Sequence, residues 1–167
     1  NAVTVSVRSG DNLLIHKALQ ILQPGGVLVV DGGGDISRAL FGEIMMTIAK
    51  VKGAVGCVFD GAIRDVDAFE KHKFPCYARG VTMRGPYKDG PGAINVPISI
   101  GGMLINPGDV ILGDCDGIIA LSPADSLLGA KLGREKESTE RKTIQSILDG
   151  KYDDSWVDTS LKQKGAL

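Results

Sequence analysis

Two short runs do most to limit what this chain can fold into. Val27-Leu28-Val29-Val30 is apolar at every position, and Ala54-Val55-Gly56-Cys57-Val58-Phe59 has no polar side chain. A strand with one face in water alternates, whereas a strand with no polar face is covered on both sides, as in a parallel sheet between layers. Each run opens after a glycine break, Pro24-Gly25-Gly26 or Gly53, and ends in an acidic glycine turn, Asp31-Gly32-Gly33-Gly34-Asp35 or Asp60-Gly61-Ala62-Ile63, the latter followed by two adjacent charges. Helical patterns lie around them. Ser9-Gly10-Asp11-Asn12 can cap a helix, and Leu13, Leu14, Ala18, Leu19 and Leu22 follow at helical spacing. Ser37 to Lys50 reads as a second helix, with Leu40, Ile44, Ile48 and Val51 as its apolar stripe. Val3, Val5 and Val7 alternate with Thr4 and Ser6 as a half-buried strand. The order strand, helix, strand, helix, strand gives the α/β class with right-handed crossovers.

The rhythm changes after residue 75. Pro75, Pro86, Pro91, Pro97 and Pro107 punctuate short strand-like pieces at Ala93 to Ile100, Met103 to Ile105, Val110 to Leu112 and Ile118 to Leu121. Turns at Asn106-Pro107-Gly108-Asp109 and Gly113-Asp114-Cys115-Asp116-Gly117 separate them, so this half is expected to form a β layer. Ser122-Pro123-Ala124-Asp125 then opens a long helix that runs to about Asp149-Gly150. Its charged middle, Arg134 to Lys142, is either a solvated face or a surface reaching toward a partner subunit. Residues 151–167 carry the only tryptophan, Trp156, and read as a tail. A chain of 167 residues fits one domain, taken as 1–150 followed by that tail.

Several function classes drop out. Lys+Arg 19 against Asp+Glu 20 leaves no broad basic field, so nucleic acid is not an expected partner. No apolar run approaches the ~18 residues of a membrane span. Three cysteines with no CxxC spacing favour a reducing, cytoplasmic setting over a disulfide scaffold or a thiolate zinc site. His16 and His72 lack a second ligand at metal spacing and read as structural or solvated. There is no GxSxG elbow. The glycine turn at 31–35 is not followed by GK[ST], and Ser37 breaks a GxGxxG pattern. Asp114-Cys115-Asp116-Gly117 is a tight turn rather than a calcium loop. Neither buried Cys57 nor Cys115 among acids reads as a nucleophile.

What remains is Arg64-Asp65, just past the carboxyl end of a buried strand, where open α/β sheets bind ligands. A carboxylate there can hold a hard cation, and a guanidinium can grip a substrate carboxylate at two points. Glu43 begins the helix after the glycine loop, and the backbone near Gly42 can offer amides to an anion. Oxygen ligands without histidine or thiolate suit Mg²⁺ or Mn²⁺. Taken alone, the Arg-Asp pair reads equally as a surface ion pair or a helix cap.

The segments Gly26 to Gly34, Ala39-Leu40-Phe41-Gly42-Glu43, Gly53-Ala54-Val55-Gly56 and Asp60-Gly61-Ala62-Ile63-Arg64-Asp65 resemble the RraA-like family, as do the later turns at 106–109 and 113–117. The likeness extends to about Gly150. It implies an αββα sandwich, assembled as homotrimers or hexamers with sites between subunits. It also implies a further N-terminal helical stretch ahead of Asn1. The family includes class II 4-hydroxy-4-methyl-2-oxoglutarate/4-carboxy-4-hydroxy-2-oxoadipate aldolases and regulators of RNase E activity. Within it, the Arg-Asp pair marks the aldolases. The resemblance thus makes Asp65 the direct metal ligand and puts Arg64 on the substrate's carboxylate and keto oxygen. It assigns the backbone near Gly42, Ile44 and Met45 to the pyruvyl carboxylate. Glu43 would hold a metal water, as would a neighbour's Glu140 or, next to it, Glu137. An acid often found three residues after the Asp is Ala68 here, with Asp67 adjacent.

The implied reaction is cleavage of a 4-hydroxy-2-oxo diacid to pyruvate and a second oxo acid, with oxaloacetate decarboxylation through the same enolate. Two rivals stand beside it. One is a binding protein that regulates a ribonuclease without chemistry. The other is a Schiff-base aldolase using Lys50 or Lys52.

Overall fold

The apolar runs lie at the middle of one six-stranded sheet. The computed structural model describes residues 1–166. In chain order its first unit contains β1 (Ala2–Val7), α1 (Leu13–Ile21), β2 (Val27–Asp31), β3 (Ala39–Phe41), α2 (Glu43–Val51), β4 (Gly56–Ile63), α3 (Val66–Lys71), β5 (Cys76–Val81) and β6 (Gly92–Ile94). Two antiparallel pairs follow, β7 (Ile98–Ile100) with β8 (Met103–Ile105), and β9 (Val110–Gly113) with β10 (Ile118–Leu121). The sheet order is β3-β4-β2-β1-β6, with β5 on β4. Strands β1 to β5 pair in parallel and β6 pairs antiparallel with β1.

The strand pattern sets the layers. Val5, Leu28, Val30, Cys57 and Phe59 point to one face, where Ile15 and Leu19 of α1, Met46 of α2 and Phe69 of α3 cover them. Val27, Val29 and Val58 point to the other, against Ile98 and Ile105 of the β7-β8 pair. The result is a helix layer, a sheet and a hairpin layer, which are three layers of the expected sandwich. All eight positions of β4 are buried, which accounts for its lack of a polar face. Phe41 and Phe59 stack at 4.8 Å between ring centroids, locking β3 to the core.

The structure corrects the sequence reading in several places. Ser37–Lys50 is not one helix: β3 comes first, and α2 starts only at Glu43. Sheet pairing wins here because Phe41 O accepts from the Arg64 amide at 2.9 Å and the Ala39 amide donates to Arg84 O at 2.9 Å. The proposed stripe also fails. Met45, Met46 and Ala49 are the buried face of α2, while Ile44 and Val51 are 74% and 82% exposed. Residues 60–63, read as a turn, continue β4, because β3 extends one of its edges and β5 follows the other. The piece at 93–100 divides into β6 and β7 around Asn95, whose φ of 56° no continuous strand tolerates. Helix α3 and strand β5 carried no clear signal, since β5 is half-exposed and holds Arg79 and Gly80.

The second compact unit is Asp125–Leu167. It holds most of α4 (Pro123–Leu148), the expected long helix, and then α5 (Trp156–Gln163), where only a tail was expected. No described residue of α4 is buried, and Lys136–Glu140 and Arg141–Glu137 pair along it at i,i+4.

Gly32, just past the end of β2, has no room for a side chain: a Cβ there would lie 2.8 Å from the Asp60 carbonyl oxygen and 2.7 Å from Leu40. Gly85 has nothing within 4 Å of such a Cβ. Gly32→Ala is expected to cost about 1–3 kcal/mol in urea unfolding through overpacking. Gly85→Ala is expected to stay within about 0.5 kcal/mol of the parent.

Candidate active site

Arg64 and Asp65 follow the carboxyl end of β4 directly, as the sequence suggested. Asp65 adopts the left-handed conformation, φ 59° and ψ 40°, which aspartate tolerates better than most residues. That turn brings its carboxylate to the start of α2. Asp65 Oδ2 accepts a hydrogen bond from the Glu43 amide at 3.0 Å. The carboxylate therefore caps a helix that has no capping side chain of its own, because the N-cap residue is Gly42. Gly42 is extended, so its requirement is space: a Cβ would fall 2.6 Å from Asp65 Oδ2 and 3.0 Å from Arg64 Cγ. Arg64 Nε lies 3.6 Å from the same oxygen, and both side chains are a little over two-fifths exposed. A pair this exposed adds little stability.

The cap uses one oxygen and one amide. Asp65 Oδ1 accepts no hydrogen bond among the described residues. Ile44 and Met45 are too close to the helix start for intrahelical acceptors, which leaves their amides available to an anion. Both residues line a cavity of about 130 Å³ with Phe41, Gly42, Arg64 and Asp65, residues at the start of α1, and Pro86 and Lys88. That volume suits a small acid rather than a nucleotide. On its other side Asp65 borders an open cleft shared with Glu43, Asp67, Ala68 and Lys71. Asp67 thus supplies an acid to the cleft, while Ala68 is buried in α3.

Among the described residues no group of three His, Cys, Asp or Glu side chains is placed to hold a metal. They build no closed cage of the zinc type. One carboxylate with a free oxygen, beside an open cleft with two further acids, instead suits a cation that keeps most of its waters, as Mg²⁺ does. Glu140 and Glu137 lie on α4, and the residues lining both openings all belong to 1–124. Lys50 donates to His72 O at 3.0 Å and Lys52 caps the far end of α2, so neither lysine reaches the cavity.

Three polar lining residues were not read from the sequence as part of a site: Asn12, His16 and Lys88. Asn12 Nδ2 donates to Leu40 O at 3.0 Å, and Lys88 Nζ donates to Asn12 Oδ1 at 3.4 Å. His16 Nε2 is buried without a hydrogen-bond partner among the described residues. Burial, and then the nearby Lys88 charge, lower the pKa of His16, which keeps the imidazole neutral near pH 7. The signal that could have found them is buried Asp11. Its Oδ1 caps α1 at Leu13 N (2.9 Å), and its Oδ2 accepts from the amides of Asp89 (2.7 Å) and Gly90 (3.0 Å). Asp11 thereby ties residues 87–90 to the start of α1 and carries Lys88 to the cavity.

Burial pushes the Asp11 carboxyl up, but those amide bonds and Arg8 outweigh it, so its pKa is lowered. Its contribution to stability is therefore present above the unfolded value of about 3.9 and fades as pH falls through the lower folded value. Asp11→Asn is expected to lower the urea midpoint at pH 7 by the equivalent of about 1–3 kcal/mol. The gap to the parent should shrink in measurements at pH 4 and pH 3.

Residues 1–120 match the family model described as RraA-like, Aldolase/RraA. The chain is 41% identical over 148 residues to a putative 4-hydroxy-4-methyl-2-oxoglutarate aldolase of Halalkalibacterium halodurans, covering 89% of this chain and 70% of that protein. Among solved structures, an uncharacterized protein from Pseudomonas syringae pv. tomato superposes with a TM-score of 0.80 at 29% identity, over 89% of this chain and 70% of the other. The RNA-processing inhibitor RraA from Thermus thermophilis gives 0.66 at 34% identity, over 71% and 73%.

Proposed function

The chain belongs to the RraA-like family, and from that premise we propose that it is a divalent-metal-dependent lyase. In this reading it cleaves a 4-hydroxy-2-oxo diacid, such as 4-hydroxy-4-methyl-2-oxoglutarate, to pyruvate and a second oxo acid. Oxaloacetate decarboxylation is its side activity. The observation that carries the reading is Asp65, which spends one oxygen on the α2 cap and keeps the other beside an acid-lined cleft. The aldolase name of the 41%-identical relative supports it.

A cation held by Asp65, Mg²⁺ or Mn²⁺, would supply a Lewis acid for the substrate's 2-keto oxygen. The rest falls to the chain's own groups. The amides of Ile44 and Met45 and the partial positive charge of the α2 start bind the 1-carboxylate. Arg64 reaches that carboxylate and the keto oxygen with its planar fork. Glu43, opening on the cleft, organises a water that accepts the C4 hydroxyl proton. The C3–C4 bond then breaks, its electron pair moves to C3 as the enolate of pyruvate, and C4 becomes the carbonyl of the second product. Charge develops on the keto oxygen, where Arg64 already sits, so its contribution is largest in the transition state.

The exposed Ile44 and Val51 on α2 and Leu127, Leu128 and Leu132 on α4 offer apolar surface that further copies of the chain would cover. Such surface supports assembly with further copies, for which the RraA-like resemblance implies a homotrimer or hexamer. A neighbour's Glu140, with Glu137 as the next candidate, would complete the cation's water shell.

Pyruvate release from 4-hydroxy-4-methyl-2-oxoglutarate and from oxaloacetate tests the proposal. Release is expected with Mg²⁺ and its loss with EDTA. Arg64→Lys is expected to lower kcat about 10²-fold or more with the fold intact, since an ammonium cannot reproduce the fork. No release from a folded, oligomeric sample would instead favour a binding role like that named for the Thermus protein.

A further inference from the structure

Lys88 is an exposed cation on an anchored backbone, without an acidic partner among the described residues. The segment that carries it is anchored at every residue around it. Tyr87 exchanges backbone bonds with Gly10 (2.8 Å) and Asn12 (3.0 Å), and the Asp89 and Gly90 amides end on Asp11. Arg38 stacks 3.9 Å over the Tyr87 ring and Arg8 pairs with Asp89. Lys88 is thus neither a loose surface lysine nor part of an ion pair. Its one hydrogen bond among the described residues, to Asn12 Oδ1 at 3.4 Å, is long and leaves most of its donor capacity unused.

Beside it, His16 presents a buried, unpartnered ring nitrogen. A buried polar atom without a partner is costly unless something else supplies one. Both residues line the cavity that Arg64 and the α2 amides line. Two cationic side chains, Arg64 and Lys88, therefore meet one small space. The substrate proposed above carries two carboxylates, and the first is already served by Arg64 and the α2 start.

We infer that Lys88, with Asn12 holding its ammonium and His16 Nε2 as a neighbouring polar contact, binds the second carboxylate of the substrate, the one that leaves with the other oxo acid. Lys88 is then the residue that selects diacids over monoacids. The assignment rests on the lyase reading for its substrate, while the geometry of the subsite is independent of it.

The test compares kcat/KM for 4-hydroxy-4-methyl-2-oxoglutarate with that for 4-hydroxy-2-oxopentanoate, which lacks the second carboxylate. Wild type, Lys88→Gln and Lys88→Arg are measured in parallel with Mg²⁺. The diacid-to-monoacid ratio is expected to fall about 10- to 100-fold in Lys88→Gln, mainly through KM, as for one lost charge-assisted hydrogen bond. Lys88→Arg should recover most of the ratio. An unchanged ratio in folded Lys88→Gln, or an equal loss on both substrates, overturns the assignment. So does inactivation by borohydride with pyruvate that disappears in Lys88→Gln, because Lys88 would then be an imine-forming nucleophile. Wild type that turns over neither substrate overturns the lyase reading alone. In that event calorimetric titration decides the subsite: Lys88→Gln must weaken 2-oxoglutarate by about 10-fold relative to 2-oxobutyrate, and equal weakening overturns it.

Discussion

The hydrogen bond from the Glu43 amide to Asp65 Oδ2 ties the candidate site together. It joins the start of one helix to the strand end that precedes another. It requires Gly42 to lack a side chain, and it requires Asp65 to take a left-handed backbone. Strain of that kind persists where the surrounding structure over-determines it. Here the Arg64 amide on Phe41 O holds the backbone before Asp65, and the Ala68 amide on Asp65 O holds the turn after it. The same bond leaves one carboxylate oxygen, two helix-start amides and a guanidinium unspent, on residues that line a small cavity. A helix cap and a ligand site were alternative readings of Arg64-Asp65. The geometry makes them compatible, because the cap consumes only half of the carboxylate.

Burial explains which parts of the fold were legible. Strands β2 and β4 lie between a helix layer and a hairpin layer, so their sequences carry no polar face and announce themselves. Strand β5 lies at an edge and half in solvent, and its Arg79 serves the buried carboxylate of Asp60, so its sequence looks like a loop. The segment at 37–50 misled for a different reason. Ile44, Ile48 and Val51 have helical spacing, but they form the outer face of α2, and Met45, Met46 and Ala49 face the core. Apolar spacing marks a helix without saying which stripe the core takes when both are apolar.

The candidate site divides the same way. Gly42, Glu43, Arg64 and Asp65 are local to a strand end and a helix start, and sequence pattern finds such places. Asn12, His16 and Lys88 come from two segments more than seventy residues apart, joined by the buried Asp11 and by the backbone bonds of Tyr87 to Gly10 and Asn12. His16 in particular reads as structural or solvated, yet it lines the cavity and its buried Nε2 has no hydrogen-bond partner among the described residues.

The central claim is that Asp65 caps α2 with one oxygen and holds a divalent cation with the other. Mn²⁺ titration followed by electron paramagnetic resonance, on wild type and Asp65→Asn, separates the two roles. Asparagine keeps a carbonyl oxygen for the Glu43 amide but loses the charge. The account expects wild type to bind Mn²⁺ and Asp65→Asn to lose that binding while its thermal unfolding stays close to wild type. Equal Mn²⁺ binding by the two proteins would contradict it.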